Sequence, residues 1–210
     1  MKESSYIELS KSALKKNIRY LKNRIGPNSQ FISVVKGNAY GHGLETFVEL
    51  AESCGVDFFA VFDSHEAERV LKIKSPDSRL MIMGMLDSED LKWAIESGIS
   101  FFVFDLFRLE KAILSARFLN QKAKIHIELE TGLNRTGFEK EKLEKIRDLV
   151  ISNLDVLEIE GICTHLAGAE SIANFVRIDQ QLNRFREYCN WFKEWNIIPQ
   201  AYHVACSAAA

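Results

Sequence analysis

The feature that most constrains this sequence is a regular alternation of short apolar runs with longer segments of helical periodicity. Short apolar runs are typical of strands buried on both faces, and apolar residues three, four or seven positions apart are typical of amphipathic helices. Strands alternating with helices indicate a parallel sheet covered by helices. The strand-like runs lie at 31–35, 57–62, 80–83, 99–104, 124–129, 156–163 and 201–206.

Helical patterns lie between these runs, at 14–25, 46–54, 88–96, 106–116, 143–150 and 175–192. So many β/α units favour an α/β barrel of the TIM type over an open sheet. A complete barrel has eight units, so the sequence predicts about seven of the eight, ending after the seventh strand. The alternating segment Ser5–Leu9 predicts an edge strand that pairs with something outside the barrel. We therefore divide the chain into residues 1–10, with that strand, and residues 11–210, an incomplete barrel.

The composition excludes several classes of partner. Lys and Arg total 27 and Asp and Glu total 29, which gives a net charge of −2 and no electrostatic reason to bind nucleic acid or an anionic membrane. The N-terminus lacks the apolar core of a secretory signal. The four cysteines form no CxxC pair, as expected of thiols in a reducing compartment. The sequence predicts a cytoplasmic protein.

Lys36 is the first candidate for chemistry, because catalytic groups of α/β barrels lie at the C-terminal ends of the strands. It follows the first apolar run and precedes the glycine-dense segment Gly37–Gly43. A lysine partly shielded from water at such a place is suited to attack a carbonyl carbon. The alternative for a single lysine is a solvated side chain at a strand exit.

Groups near three other strand ends suit a small anionic ligand. Arg135 lies in a loop with two glycines, and its planar guanidinium suits an oxyanion or a phenolate. His165 and His203 belong to neighbouring strand ends, where a histidine is a proton carrier, a stacking group or a structural donor. Ser207 follows in a turn and suits phosphate. Taken singly, each is equally compatible with a structural or surface role.

A metal site is a competing interpretation of the fifth strand. His126, Glu128 and Glu130 alternate and therefore share one face of that strand. With His165 or His203 they would give nitrogen and oxygen ligands of the kind that barrel hydrolases use. Against this, His126 lies toward the wrong end of the barrel.

Together these segments resemble the alanine racemases, a family that uses pyridoxal 5'-phosphate (PLP). The run Val34–Gly43, VVKGNAYGHG, closely resembles the family's lysine signature, with Gly37 in place of an alanine. The run Glu130–Phe138, ETGLNRTGF, resembles the pattern D-T-G-M-x-R-x-G-F. Thr164-His165 and the segment His203–Ala209 match two further blocks. The resemblance covers the whole chain in order.

The resemblance implies a role for each candidate residue. Lys36 holds PLP as an internal aldimine and is the base that acts on the D-enantiomer. Arg135 lies near the phenolic oxygen of the cofactor and the carboxylate of the substrate, and His165 lies beside the pyridine ring. Tyr40 and Ser207 bind the cofactor phosphate.

The activity that the resemblance implies is the interconversion of L- and D-alanine, which supplies D-alanine for peptidoglycan. Inversion requires two bases, one on each face of the substrate. The second base of the family is a tyrosine from a C-terminal β-domain of the partner subunit in a homodimer. That domain is missing from this sequence, so we expect the 210-residue chain alone to be inactive.

We take Glu128 and Asn38 to be supporting residues of the site. Two positions, Glu128 and Cys206, depart from the family pattern. Glu128 stands where the family often has a lysine, frequently carbamylated. We hypothesise that Glu128 supplies a similar negative charge that orients Arg135; the alternative is that water or an ion fills the space. Cys206 replaces an asparagine.

Two other functions remain as alternatives at this point. One is a barrel protein that binds PLP without racemase activity, and the other is the metal-dependent hydrolase described above.

Overall fold

The structure, a computed structural model, describes residues 5–209. The chain divides into two compact units, Met1–Met85 and Leu86–Ala210. Each unit is built from parallel strands that alternate with helices.

The first unit contains three parallel strands in the order β1-β2-β3. Val34 pairs with Ala60 and Ala60 pairs with Met81. Every residue of β2 is buried, as the continuous apolar run predicts for a strand covered on both faces. The elements of the first unit are α1 (Lys11–Ile25), β1 (Ser33–Val34), α2 (Lys36–Tyr40), α3 (Leu44–Glu52), β2 (Phe58–Val61), α4 (Ser64–Leu71) and β3 (Arg79–Ile82).

The second unit contains four parallel strands in the order β4-β5-β6-β7. The register of β5 against β6 shifts between Ile125 and His126, because His126 pairs with Gly161 and leaves Glu160 outside the regular pairing. Two 3-10 turns, Lys140–Lys142 and Ile172–Asn174, precede helices. The other elements are α5 (Ser88–Glu96), β4 (Ser100–Val103), α6 (Leu106–Leu119), β5 (Ala123–Glu128), α7 (Leu143–Ile151), β6 (Leu157–Cys163), α8 (Phe175–Glu194) and β7 (Ala201–His203).

Aspartates fix where three of the helices begin. The carboxylates of Asp63, Asp87 and Asp105 accept hydrogen bonds from backbone N–H groups in the first turns of α4, α5 and α6. These groups have no partner within the helix, so a capping carboxylate stabilises the start. Because Asp63 and Asp105 follow β2 and β4 after one residue, the chain turns sharply from strand into helix.

The predicted fold class is confirmed, because residues 5–209 contain seven parallel strands that correspond to seven of the eight β/α units of a TIM-type barrel. The outermost strands, β1 and β7, are shorter than predicted. Among the described residues each pairs along one side only, which leaves both partly exposed. Helix α4 was not predicted, because Ala67 and Val70 are its only buried apolar residues and give too weak a periodicity.

The predicted N-terminal strand stays a prediction. Residues 1–4 lie outside the described residues, and residues 5–10 form no strand.

Candidate functional site

Lys36 begins a backbone turn with unusual geometry directly after β1. Gly37, Asn38, Ala39 and Tyr40 all have φ between 53° and 62°, so α2 is a left-handed turn. Each non-glycine residue in this conformation costs about 1–2 kcal/mol. Such strain persists only where surrounding contacts hold it, and it concentrates at functional sites.

Asn38 connects this turn to the helices that follow. Its backbone N–H donates to Glu66 Oε1 at 3.1 Å, and its side-chain oxygen accepts from the N–H of Leu44 and from Arg69 Nη2, each at 3.0 Å. Glu66 Oε2 also accepts from the N–H of Phe62, the residue after β2, at 3.0 Å. Glu66 is 8% exposed and therefore anchors the turn from inside the unit.

An ion pair between Arg69 and Glu45 fixes the arginine that contacts Asn38. Arg69 donates from Nε and Nη2 to the two carboxylate oxygens of Glu45 at 2.7 and 2.8 Å. The hydrogen bond with Arg69 lowers the pKa of Glu45 to about 2. Sequence reasoning missed Glu45, Glu66 and Arg69, since partners so far apart in sequence leave no local pattern.

The side chain of Lys36 lies half-buried at the start of this turn. Within residues 5–209, no hydrogen bond or ion pair engages its amine. Tyr40 is 65% exposed. The first unit therefore presents an amine and a phenol on one short, rigidly supported turn.

The loop after β5 is closed at its base by a parallel bridge between two of its residues. Leu129 and Phe138 form an isolated bridge, in which the N–H of Glu130 donates to the carbonyl of Phe138 at 3.0 Å. Gly137 is required there, because a Cβ atom would lie 2.7 Å from the backbone nitrogen of Glu130. The loop presents Arg135 as an exposed side chain.

Glu130 shapes the same loop from within. Its carboxylate accepts from the N–H of Gly132 and from the N–H of Asn134, the latter at 2.8 Å. Asn134 has a φ of 59°, a conformation that asparagine tolerates better than most residues. The first residue of the ETGLNRTGF block is therefore a structural carboxylate of the loop.

Glu128, the last residue of β5, is 4% exposed. Burial raises the pKa of its carboxyl group, while a hydrogen bond with Thr136 and the charges of Arg135 and Arg108 oppose that rise. Arg135 thus acts on Glu128 through its charge, but among the described residues no ion pair joins the two side chains. Orientation of Arg135 by Glu128 stays a hypothesis.

His126 and Glu160 are buried in the second unit, and His126 contacts both Glu160 and the partly buried His203. His126 Nδ1 lies 3.0 Å from His203 Nε2, and His126 Nε2 lies 3.4 Å from Glu160 Oε2. Burial lowers the pKa of His203 to about 3, with a smaller contribution from the charge of His126. His203 is therefore neutral near pH 7.

This contact joins His126 and His203, two of the ligands considered for a metal site. Within residues 5–209, no three His, Cys, Asp or Glu side chains come close enough together to hold a metal ion. The metal-hydrolase interpretation therefore has no ligand cluster in the described part of the chain.

His165 and Ser207 lie on the exposed ends that follow β6 and β7. The backbone after β6 is held from α8, since the Gln181 amide contacts both the carbonyl of His165 and the N–H of Ala167. Ser207 lies in a terminal turn next to the hydrogen bond from the N–H of Ala209 to the carbonyl of Cys206, at 3.0 Å. Sequence reasoning missed Gln181, although a polar residue four positions before the buried Phe185 was a signal.

The predicted site residues divide between the two units. Lys36, Asn38 and Tyr40 lie together on the turn of the first unit, and Glu128 and Arg135 are near enough to interact through charge in the second. With His165 and Ser207, they lie at or beyond the C-terminal ends of strands β1, β5, β6 and β7, as predicted from the strand pattern.

Comparison with known proteins shows which proteins this chain resembles. Residues 9–210 match the sequence profile described as alanine racemase, N-terminal domain. The alanine racemase of Desulforamulus reducens is 30% identical over 212 residues, covering 100% of this chain and 56% of that protein. The alanine racemase of Methanococcus maripaludis is 32% identical over 209 residues, covering 97% and 54%.

Solved structures give the same result. The alanine racemase from Streptomyces coelicolor A3(2) matches with a TM-score of 0.88 and 26% identity, covering 95% of this chain and 53% of that one. The alanine racemase from Bacillus anthracis with bound L-Ala-P matches with a TM-score of 0.85 and 28% identity, covering 95% and 51%. The chain spans about half the length of the curated relatives it matches.

None of the helices in residues 5–209 has the length and apolar character needed to cross a membrane.

Proposed function

The chain belongs to the alanine racemase family, and from that premise we propose that it is the lysine-bearing, cofactor-binding part of an enzyme that interconverts L- and D-alanine. The proposal rests on the position of Lys36. Its half-buried side chain lies at the start of a strained turn, and hydrogen bonds among Asn38, Glu66 and Arg69 hold that turn. An amine without an ion-pair partner in the described residues is free to combine with an aldehyde.

The residues present suit pyridoxal 5'-phosphate, the cofactor on which alanine racemases depend. Lys36 offers an amine for the aldehyde, Arg135 a permanent positive charge for an oxyanion, and Tyr40 and Ser207 exposed hydroxyl groups for phosphate. His165 offers a ring for the pyridine. This donor set is what an aldehyde with a phosphate and a phenolic oxygen needs.

The cofactor, when bound, supplies an electron sink that makes the α-proton of an amino acid acidic. Lys36 would hold the cofactor and then carry the proton at its Nζ on the face of the D-enantiomer. Arg135 would bind the substrate carboxylate and so fix which face of the α-carbon Lys36 meets. Glu128 would keep a negative charge behind the guanidinium of Arg135.

The remaining parts of the proposal concern the whole protein. The second base, the homodimer and the cytoplasmic supply of D-alanine for peptidoglycan follow from the family and extend beyond these 210 residues. We propose that the 210-residue chain alone binds the cofactor but turns over alanine slowly or not at all, because loss of one general base costs about 10²- to 10⁴-fold in rate.

The test is a spectrophotometric titration of the purified chain with PLP. We expect the absorption band of a lysine-linked cofactor in the wild type and in Lys16→Ala, an exposed lysine of α1, and its loss in Lys36→Ala. A folded wild-type chain without that band would contradict cofactor binding. A band without alanine racemisation, even in an enzyme completed by the missing half of a relative, would favour the alternative of a PLP-binding protein that is not a racemase.

A further inference from the structure

Gln181 is a buried polar residue that joins the loop after β5 to the loop after β6. It lies on α8 at 1% exposure. Its Nε2 donates to the carbonyl of His165 at 3.0 Å and to the hydroxyl of Thr131 at 3.3 Å. Its Oε1 accepts from the N–H of Ala167 at 2.8 Å.

The orientation of this amide is determined by its partners. The N–H of Ala167 is only a donor, and the carbonyl of His165 is only an acceptor, so the oxygen and nitrogen of Gln181 cannot be exchanged. Three hydrogen bonds satisfy the buried group. An apolar side chain of the same size would remove the acceptor of the buried Ala167 N–H and one donor to the carbonyl of His165, and loss of a buried hydrogen bond is costly.

The contact with Thr131 extends to both loops. The hydroxyl oxygens of Thr131 and Thr164 lie 2.7 Å apart, and Arg184 Nη1 donates to the carbonyl of Thr131 at 2.8 Å. The backbone of Gly132 approaches the Gln181 side chain so closely that a Cβ atom would lie 3.1 Å from its Cγ. The start of the ETGLNRTGF loop is therefore packed against the same amide that holds the loop of His165.

We propose that Gln181 is a positioning residue that couples these two loops and thereby fixes His165 and Arg135 relative to each other for the cofactor. Gln181 touches neither side chain and acts through the backbone of one loop and Thr131 of the other. The part of this inference that concerns the cofactor rests on the proposed function. The coupling of the loops stands on the contacts alone.

The experiment compares Gln181→Met with Gln180→Met, a neighbouring exposed glutamine of α8. Amide hydrogen exchange is followed at Ala167, on the loop after β6, and at Gly132, on the loop after β5. Strand amides of β5 and β6 report general loss of stability in the same sample. PLP affinity is measured by the absorption titration.

We expect Gln181→Met to speed exchange at Ala167 and at Gly132 by about tenfold or more, with little change in the strand amides. PLP affinity should fall by a similar factor. Gln180→Met should change neither quantity. Thr131→Val, which keeps the shape but removes the hydroxyl, should produce the same two-loop response and provides the test if Gln181→Met does not fold.

Three results would overturn the inference. Equal acceleration of loop and strand amides would make Gln181 only a stabilising residue. Acceleration at Ala167 without Gly132 would show that the loops are not coupled, and unchanged PLP affinity would show that the coupling does not position the site. If the wild-type chain binds no PLP, the proposed function fails, whereas the response at Gly132 still decides the coupling.

Discussion

Glu128 holds a carboxyl group where water hardly reaches it, and the local charges compensate only in part. Burial raises its pKa although Thr136, Arg135 and Arg108 favour the charged form. Burial therefore makes the charged form of Glu128 costly in the folded chain. A residue retained for a negative charge beside Arg135, as we propose for Glu128, would carry this cost.

The pH dependence of stability tests this view of Glu128. Because its pKa is raised in the folded chain, the native state holds the proton more tightly, and stability decreases as pH rises from the usual value of 4.5 toward the raised value. Glu128→Gln should therefore increase the free energy of unfolding more at about pH 8 than at about pH 4. Urea unfolding at both values measures this difference, and a larger increase at the lower pH would contradict it.

At the scale of elements, identifiable contacts hold the two segments to which we assign the chemistry. Glu66 and Arg69 hold the left-handed turn after β1. The bridge of Leu129 with Phe138 closes the loop after β5. These contacts hold the backbone that carries Lys36 and Arg135, the side chains to which we assign the chemistry.

Gly137 offers a test of the closure at the base of the Arg135 loop. Gly137→Ala would place a Cβ atom against the backbone of Glu130 at a φ of +113°, and we expect it to destabilise the chain by about 2–4 kcal/mol. Gly98→Ala is the matched control, because Gly98 has a φ of +67° with no atom within 4 Å of the added Cβ. It should cost only about 1 kcal/mol. Equal losses in urea unfolding would show that the loop is not closed tightly at Gly137.

The sequence allowed prediction of the elements whose local pattern is strong. Strands β2 to β4 are short, mostly apolar runs, and β5 and β6 have apolar residues at alternate positions, so the positions of these strands and the chemical groups that follow them could be predicted. The turn after β1 could not be predicted, because its left-handed backbone contradicts the local preference of Ala39 and Tyr40 and it is held by Glu66 from α4. Gln181 was missed because its position in the helical pattern indicates burial but does not show that its amide contacts Thr131 and Ala167.

At the scale of the whole molecule, family membership and site chemistry support each other. The family match runs through residues 9–210, and the lysine, arginine, histidine and serine blocks occur within it in order. The chain spans about half the length of its curated relatives, and we propose cofactor binding and turnover as two properties to be measured separately. The proposed function depends above all on Lys36, which must combine with the cofactor whether or not the chain racemises alanine.

Reductive trapping measures the role of Lys36 most directly. The chain is mixed with PLP, reduced with borohydride, digested, and searched by mass spectrometry for the lysine that carries the cofactor. We predict one dominant modified peptide, containing Lys36, and no such peptide in Lys36→Ala. Modification spread over the exposed lysines, with Lys36 unlabelled in a folded chain, would contradict the proposed function.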